Sequence, residues 1–232
     1  MDANMTCGYH SNTGRDIKAR KILAVLENVI KDNIHSKRIL DIGTGNGGIA
    51  SYIATFCNDV TSVDIENNVD TNNSGFNWIK VENAILPFER EMFDIIISNM
   101  VIEHLPDQDI HLSEIFRVLA SNGIVYFATP NRFFPFEAHT KLFLLHWLPK
   151  KIFYRTAKVL GKCHENIWLL HYLKMIKMFT KHGFVYEDYT IEILNNPQKY
   201  HLEHSIKIKI PQFMSCFSMT NVFVLRKKGS IS

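Results

Sequence analysis

Apolar residues along the chain follow two spacings, and their alternation predicts an α/β fold. Apolar side chains three and four residues apart predict helices over residues 15–34, 47–57, 107–120 and 167–182. Short apolar runs predict strands over 38–43, 59–65, 76–82, 93–99, 124–129, 184–194 and 219–226. Strands alternating with helices form a largely parallel sheet covered on both faces. The segment between Ile65 and Phe76 is asparagine-rich, so we expect its crossover helix to be shortened or lost.

A glycine-rich turn follows the first predicted strand. Gly43, Gly45 and Gly48 fit the G-x-G-x-x-G spacing of dinucleotide-binding proteins, so the glycines alone leave an NAD-dependent dehydrogenase open. Asp41 argues against it, because a carboxylate two residues before the first glycine repels a pyrophosphate. The same carboxylate complements the sulfonium and ammonium groups of S-adenosylmethionine, directly or through water. The alternative is that Asp41 only caps the turn.

Several motifs together resemble the class I S-adenosylmethionine-dependent methyltransferases, in the small-molecule branch that includes the ubiquinone and menaquinone methyltransferases. In chain order they are Asp41-x-Gly43-x-Gly45-x-Gly47, Asp64, Asn83 to Phe88, Phe93 to Met100, Val101 to Leu105, Glu114 to Leu119, and Gly123 to Pro130. The resemblance implies a Rossmann-like seven-stranded sheet with helices on both faces, and S-adenosylmethionine as cofactor. It implies these cofactor-binding residues: Asp41, Gly43, Thr44, Gly45, Asp64, Ile65, Asn83, Ala84, Asn99 and Met100. Asn83 stands where the family commonly has an acidic residue.

A long insertion separates the fifth strand from the next predicted helix. Residues 132–166 combine aromatic side chains with lysines and predict a helical cap above the carboxyl ends of the strands. Such a cap lines an acceptor pocket, rests on a membrane surface or forms a dimer interface, and we favour the pocket. The substrate-binding residues predicted here are Arg132, Phe133, His139, His146 and Trp147.

Two histidines are candidates for a general base. Histidine titrates near neutral pH and can take a proton from an oxygen acceptor. His104 follows the fourth strand and His139 the fifth; for each, the alternative is a packing or hydrogen-bonding role. Residues 98–101 lack the Pro-Pro-aromatic sequence of amine methyltransferases that act on nucleobases, and no Pro-Cys pair is present for cytosine C5 methylation. Oxygen is therefore the favoured acceptor atom.

Composition narrows the class further. The 232 residues, 46% hydrophobic and 21% charged, suit one globular α/β domain. A polar N-terminus without an apolar signal-peptide core and four scattered cysteines predict a cytoplasmic protein with reduced thiols. His201 and His204 suggest a metal, but no second ligand cluster lies nearby, so we expect none.

Charge is unevenly distributed along the chain. Residues 1–131 hold ten Lys and Arg against seventeen Asp and Glu, whereas residues 132–232 hold sixteen against six. The basic part attracts an anionic partner or is a solvated basic face. It keeps an RNA methyltransferase open, although no added RNA-binding motif is present. A further alternative is a regulatory protein that binds S-adenosylmethionine without catalysis.

These observations predict a methyltransferase that acts on a small molecule. We expect residues 1–36 to form an N-terminal tail and helix, 37–131 the cofactor-binding core, 132–166 the cap, and 167–232 the C-terminal helix and last strands. The acceptor is expected to be anionic, aromatic or lipid-like, with peripheral membrane contact as an option and no stable nucleic-acid complex. The chain is expected to be a monomer or a homodimer.

Overall fold

A computed structural model describes residues 12–30, 32–70, 72–135, 144, 147, 150–159, 167–202 and 209–229. The strands are β1 (Arg38–Ile42), β2 (Asp59–Asp64), β3 (Asn77–Lys80), β4 (Phe93–Asn99), β5 (Leu119–Pro130), β6 (Phe184–Asp188) and β7 (Thr220–Lys227). The helices are α1 (Asn12–Val29), α2 (Gly48–Ala54), α3 (Gln108–Val118), α4 (Lys150–Val159), α5 (Tyr172–Lys181) and α6 (Thr190–Asn195). None of the helices in these ranges is both long and apolar enough to cross a bilayer.

The strands form one seven-stranded sheet in the order β3-β2-β1-β4-β5-β7-β6. The first five strands run parallel, and β7 is antiparallel to both β5 and β6. The carboxyl ends of β1, β2, β4 and β5 therefore meet at one edge of the sheet, which we call the carboxyl edge. The predicted fold class is confirmed.

Helices cover both faces of the sheet. On one face, Leu112 of α3 and Met175 of α5 pack against a core that includes Leu40 and Phe127. On the other face, α1, α2 and α6 pack against a second core. Alternate residues of β1 enter opposite cores: Leu40 and Ile42 the first, Ile39 the second. Both faces of β1 are thus buried, as its continuous apolar run predicts.

Two predicted elements differ from the structure near the C-terminus. The strand predicted over 184–194 ends at Asp188, whose Oδ1 accepts the Thr190 N–H at 2.9 Å and begins α6. Short apolar runs do not separate strand from helix by spacing alone, which explains the error. The helix predicted from residue 167 begins at Tyr172, because Leu170 forms a parallel bridge with Asn131.

The crossover between β2 and β3 contains no helix within residues 66–70 and 72–76, as predicted. Instead, this segment packs on the glycine turn. The Asp70 N–H and the Asn73 Nδ2 both donate to the Asn46 carbonyl, at 2.9 and 2.7 Å. The segment therefore supports the turn that a crossover helix would otherwise flank.

Candidate functional site

The glycine turn between β1 and α2 has a backbone that side chains would not permit. Gly43, Gly45 and Gly47 have φ values of 77°, 55° and 83°, in the left-handed region. A Cβ on Gly43 would lie 2.5 Å from Val101 Cγ2. The turn therefore presents bare backbone at the carboxyl edge, beside the start of α2, where a ligand can approach closely.

Asp41 holds this turn from within the protein. Its side chain is 2% exposed, and its Oδ2 accepts hydrogen bonds from Thr44 Oγ1 at 3.0 Å and Ser62 Oγ at 3.5 Å. The hydroxyl of Thr44, another predicted cofactor-binding residue, is thus directed at Asp41. This geometry supports the turn-stabilising interpretation of Asp41.

Asp64 ends β2 directly beside the turn. Its Oδ2 accepts the Gly45 N–H at 2.7 Å and its Oδ1 accepts the Glu66 N–H at 3.2 Å. The residue is only partly buried, and each carboxylate oxygen accepts one of these hydrogen bonds, so lone pairs remain that can accept from ligand hydroxyl groups. The next residue, Ile65, is 55% exposed, which leaves an apolar surface beside this carboxylate.

The loop after β3 contributes a second exposed apolar surface. Asn83 Oδ1 accepts the Ile85 N–H at 2.8 Å, so this side chain stabilises the turn where the family commonly has an acid. Ala84 is partly buried and Ile85 is 63% exposed. A flat, mostly apolar base fits between surfaces of this kind, while a ribose fits the Asp64 carboxylate.

The end of β4 completes this side of the carboxyl edge. Asn99 is the last residue of β4, and Met100 has a φ of 61°, unusual for a residue other than glycine. The Met100 N–H donates to the Ala128 carbonyl of β5 at 2.8 Å, which fixes this turn against the neighbouring strand. The predicted cofactor residues 41, 43–45, 64, 65, 99 and 100 therefore lie at the ends of neighbouring strands, with 83 and 84 at the β3 end.

The candidate base His104 lies in a short 3₁₀ helix, Ile102–His104, after β4. It is partly buried, and its neighbour Glu103 is fully buried and accepts from Thr129 Oγ1 at 3.0 Å. This contact ties the loop after β4 to the end of β5, so His104 stands at the carboxyl edge. His139 and His146, the other candidate histidines, lie outside the described residues.

The predicted substrate residues that the structure describes cluster beyond β5. Phe133 and Trp147 pack edge to face with their ring centroids 6.4 Å apart, and Trp147 Nε1 donates to the Arg132 carbonyl at 2.9 Å. Sequence reasoning missed a further member of this cluster, His171, whose ring stacks on Phe133 at 5.2 Å. The helix predicted from residue 167 concealed it; in the structure His171 is the N-cap of α5.

Buried His111 is a histidine with a different role. Its Nε2 lies 3.0 Å from Ser98 Oγ of β4, and burial lowers its pKa to about 4. The ring is therefore neutral at physiological pH and belongs to the core between α3 and the sheet.

The family model described as a methyltransferase domain matches residues 40–127, which span the glycine turn through β5. Residues 40–127 are therefore identified as a methyltransferase domain, and the fold is that of solved S-adenosylmethionine-dependent methyltransferases. The resemblance predicted from the sequence is confirmed over these residues, and S-adenosylmethionine is the cofactor that the names of similar proteins specify. The bare glycine backbone, the Asp64 carboxylate and the exposed Ile65 and Ile85 fit that cofactor.

Comparisons with individual proteins agree with this class. The chain is 31% identical over 124 residues to a ubiquinone biosynthesis O-methyltransferase of Bartonella tribocorum, covering 49% of this chain and 50% of that protein. It is 32% identical over 100 residues to a fatty-acid O-methyltransferase of Mycolicibacterium smegmatis, covering 39% and 36%. The crystal structure of an S-adenosylmethionine-dependent methyltransferase from Mesorhizobium loti superposes with a TM-score of 0.60 at 12% identity, covering 94% of this chain and 99% of the other. The chain spans about half the length of the first of these relatives.

Proposed function

We propose that the protein transfers the methyl group of S-adenosylmethionine to an oxygen atom of a small-molecule acceptor. The observation that carries this proposal is the methyltransferase-domain match over residues 40–127, and the hydrogen bond from the Gly45 N–H to Asp64 Oδ2 supports it by fixing a carboxylate beside the bare glycine turn. An acid at this position suits the adenosine ribose of either S-adenosylmethionine or NAD, so the preference for S-adenosylmethionine rests on the methyltransferase-domain match over residues 40–127.

The protein's contribution to the chemistry is alignment and exclusion of water. The bound cofactor supplies a methyl group on a sulfonium: the acceptor oxygen's lone pair forms the new C–O bond as the C–S bond pair leaves with sulfur. The acceptor's proton must then leave, and His104 at the carboxyl edge is our candidate to take it, with His139 as the second. Met100, whose N–H donates to the Ala128 carbonyl at 2.8 Å, begins the loop that leads from β4 to His104.

Two observations support a class of acceptor: the names of similar proteins and the side chains beyond β5 in this chain. One relative is named as an O-methyltransferase of ubiquinone biosynthesis, and another as an O-methyltransferase of fatty acids. In this chain, Arg132, Phe133 and Trp147 offer a basic and aromatic surface beyond β5. We propose an acceptor that is anionic, aromatic or lipid-like, with peripheral membrane contact as the route for a lipid-like one.

The test is calorimetric titration of the purified protein with S-adenosylmethionine and, separately, with NAD. We expect only the first to bind, and Asp64→Ala to weaken it about tenfold or more, as for loss of a charge-assisted hydrogen bond. Asp59→Ala is the matched control, because Asp59 begins the same strand at the opposite edge of the sheet. Binding of NAD alone would overturn the proposal in favour of a dehydrogenase.

Turnover separates the remaining alternatives. Formation of S-adenosylhomocysteine with a panel of phenols, carboxylic acids and quinols is expected to show acceptor-dependent methyl transfer. Cofactor binding without turnover on any acceptor would favour a regulatory protein. Turnover only on RNA, with binding that weakens steeply as salt rises, would favour an RNA methyltransferase.

A further inference from the structure

Three rings converge at the carboxyl edge beyond β5, and two of them are half exposed. Phe133 lies between His171, stacked at 5.2 Å and 19°, and Trp147, edge to face at 6.4 Å and 85°. The side chains of Phe133 and Trp147 are 42% and 46% exposed. Large aromatic side chains that remain this accessible beside a catalytic edge are suited to receive a planar ligand.

The backbone holds these rings in place. Asn131 Oδ1 accepts the Phe133 N–H at 3.0 Å, while its Nδ2 donates to the Cys216 carbonyl at 2.7 Å. The Arg132 N–H donates to the Leu170 carbonyl at 2.9 Å, directly before His171. The segments that carry Phe133 and His171 are thus hydrogen-bonded to each other, and the surface is pre-formed.

His171 offers a hydrogen-bond donor from this surface. Its Nδ1 accepts the Lys174 N–H at 3.2 Å, so the neutral imidazole carries its proton on Nε2. Burial, followed by the charges of Arg132, Lys174 and Lys177, lowers the pKa of His171 and favours this neutral form. A neutral ring with Nδ1 already occupied is a donor to a ligand oxygen, not a base.

Positive charge continues from the rings along one face of α5. Lys174 and Lys177 line a groove of about 270 Å³ between α5 and the start of α3. Neither lysine forms an ion pair within the part of the chain that the structure describes. Lys181, one turn further, differs, because its Nζ lies 2.7 Å from Asp109 Oδ1.

The acidic residues of the groove are already engaged. Asp107 Oδ1 accepts the N–H groups of Asp109 and Ile110 as the N-cap of α3. Asp109 accepts from both Lys181 and His182, at 2.7 and 2.6 Å. Asp109 is thus paired with Lys181 while Asp107 keeps its negative charge, so Lys174 and Lys177 together leave the groove with a net positive charge next to the rings.

We infer that Phe133, Trp147 and His171, together with Lys174 and Lys177, form the acceptor site, and that the acceptor combines a planar ring with a carboxylate or phosphate group. The ring packs on Phe133 and Trp147, His171 donates its Nε2–H to a ligand oxygen, and the anion meets the two lysines. This inference rests on the proposed function, because only methyl transfer makes the bound molecule an acceptor. Binding at the site can nevertheless be tested without turnover.

The experiment titrates the full-length protein with phenyl phosphate and with benzoate, followed by calorimetry and by ligand-observed NMR. Phenol and inorganic phosphate serve as probes that carry only the ring or only the anion. We expect one of the two ring anions to bind about tenfold or more tighter than either partial probe, since two contacts act together. Which of the two binds tighter distinguishes a carboxylate from a phosphate acceptor.

Variants locate the binding. Lys174→Gln/Lys177→Gln is expected to weaken the ring anion about tenfold while leaving phenol binding unchanged. Lys228→Gln is the control, because Lys228 is an exposed lysine that follows β7 at the opposite edge of the sheet. His171→Asn retains an N-cap acceptor for the Lys174 N–H but removes the imidazole that stacks on Phe133 and carries the Nε2 donor, so it should weaken binding of the ring anion and of phenol while the protein stays folded, as thermal unfolding checks.

Equal binding of phenol and phenyl phosphate, or equal loss in Lys228→Gln and in the double variant, would overturn the inference. Cofactor binding and turnover on an uncharged acceptor do not depend on this site, so the proposed function would survive. Conversely, tight ring-anion binding without turnover on any acceptor would leave the site in place and overturn methyl transfer.

Discussion

The proposed cofactor side (residues 41–48 and Asp64) and the proposed acceptor side (residues 133, 147 and 171) of the carboxyl edge are built in different ways. On the cofactor side, eight consecutive residues, 41–48, form the turn, and one neighbouring carboxylate, Asp64, fixes it through a 2.7 Å bond to Gly45. On the acceptor side, the rings come from residues 133, 147 and 171, which are far apart in the chain. The first depends on backbone conformation and the second on side chains that the fold brings together. Substitutions should therefore affect the two sides separately.

Gly43→Ala is the sharpest test of the cofactor side. A left-handed φ costs alanine about 1–2 kcal/mol, and overlap with Val101 adds about 1–3 kcal/mol more. We expect a loss of about 3 kcal/mol in the free energy of unfolding, measured in urea, and a fall in S-adenosylmethionine affinity of more than about tenfold. Phenyl phosphate binding should remain within about twofold of the original, if the two sides are independent.

Two variants separate the causes of this effect. Gly229 has a φ of 98° with no atom within 4 Å of a Cβ, so Gly229→Ala measures the conformational cost alone, about 1 kcal/mol. Adding Val101→Ala to Gly43→Ala removes the overlap and should restore part of the stability. Equal losses in Gly43→Ala and Gly229→Ala would show that the close approach of Val101 contributes nothing.

The same contrast explains what the sequence could and could not predict. The glycine turn and Asp64 are readable because their geometry is local: positive φ requires glycine, and the strand pattern places Asp64 at a strand end. His171 is not readable, because its role depends on the bridge between Asn131 and Leu170, which ends the extended segment before α5. The role of Asp41 was half predicted, since its partner Ser62 lies on the adjacent strand.

The titration of His111, whose ring contacts Ser98 of β4, tests how the stability of the protein depends on pH. Its pKa is about 4 in the folded protein and about 6.5 in the unfolded chain, so the unfolded state binds the proton first as pH falls. The contribution of the neutral His111 ring to the free energy of unfolding is fully present above pH 6.5 and is lost between pH 6.5 and 4. The loss amounts to about 3 kcal/mol, measured by urea unfolding across this range.

The control for His111 is a variant that cannot titrate. His111→Gln keeps a polar group near Ser98 and should flatten the stability profile between pH 6.5 and 4.5, although it is less stable at pH 7. Below this range the carboxylates with lowered pKa, such as Asp94 beside Arg38, become protonated in both proteins. An unchanged slope in His111→Gln would assign the acid sensitivity to other groups.

The smallest expected effect concerns β5, the strand that leads to the acceptor side. The hydroxyl of Tyr126 is buried and has no hydrogen-bond partner among the described residues, so folding removes it from water without compensation. Tyr126→Phe should raise the free energy of unfolding by about 1 kcal/mol and leave both ligand affinities unchanged.

Tyr200→Phe is the matched control. Tyr200 is equally buried, but its hydroxyl donates to Glu192 Oε1 at 3.3 Å, so the loss of this hydroxyl should lower the free energy of unfolding by about 1 kcal/mol. Opposite signs for the two variants in urea unfolding would show that hydrogen bonding, and not loss of the hydroxyl's packing, decides the outcome. Destabilisation by Tyr126→Phe would mean that the hydroxyl fills space needed beneath the acceptor side, and the two sides would then share more of the core than their separate construction implies.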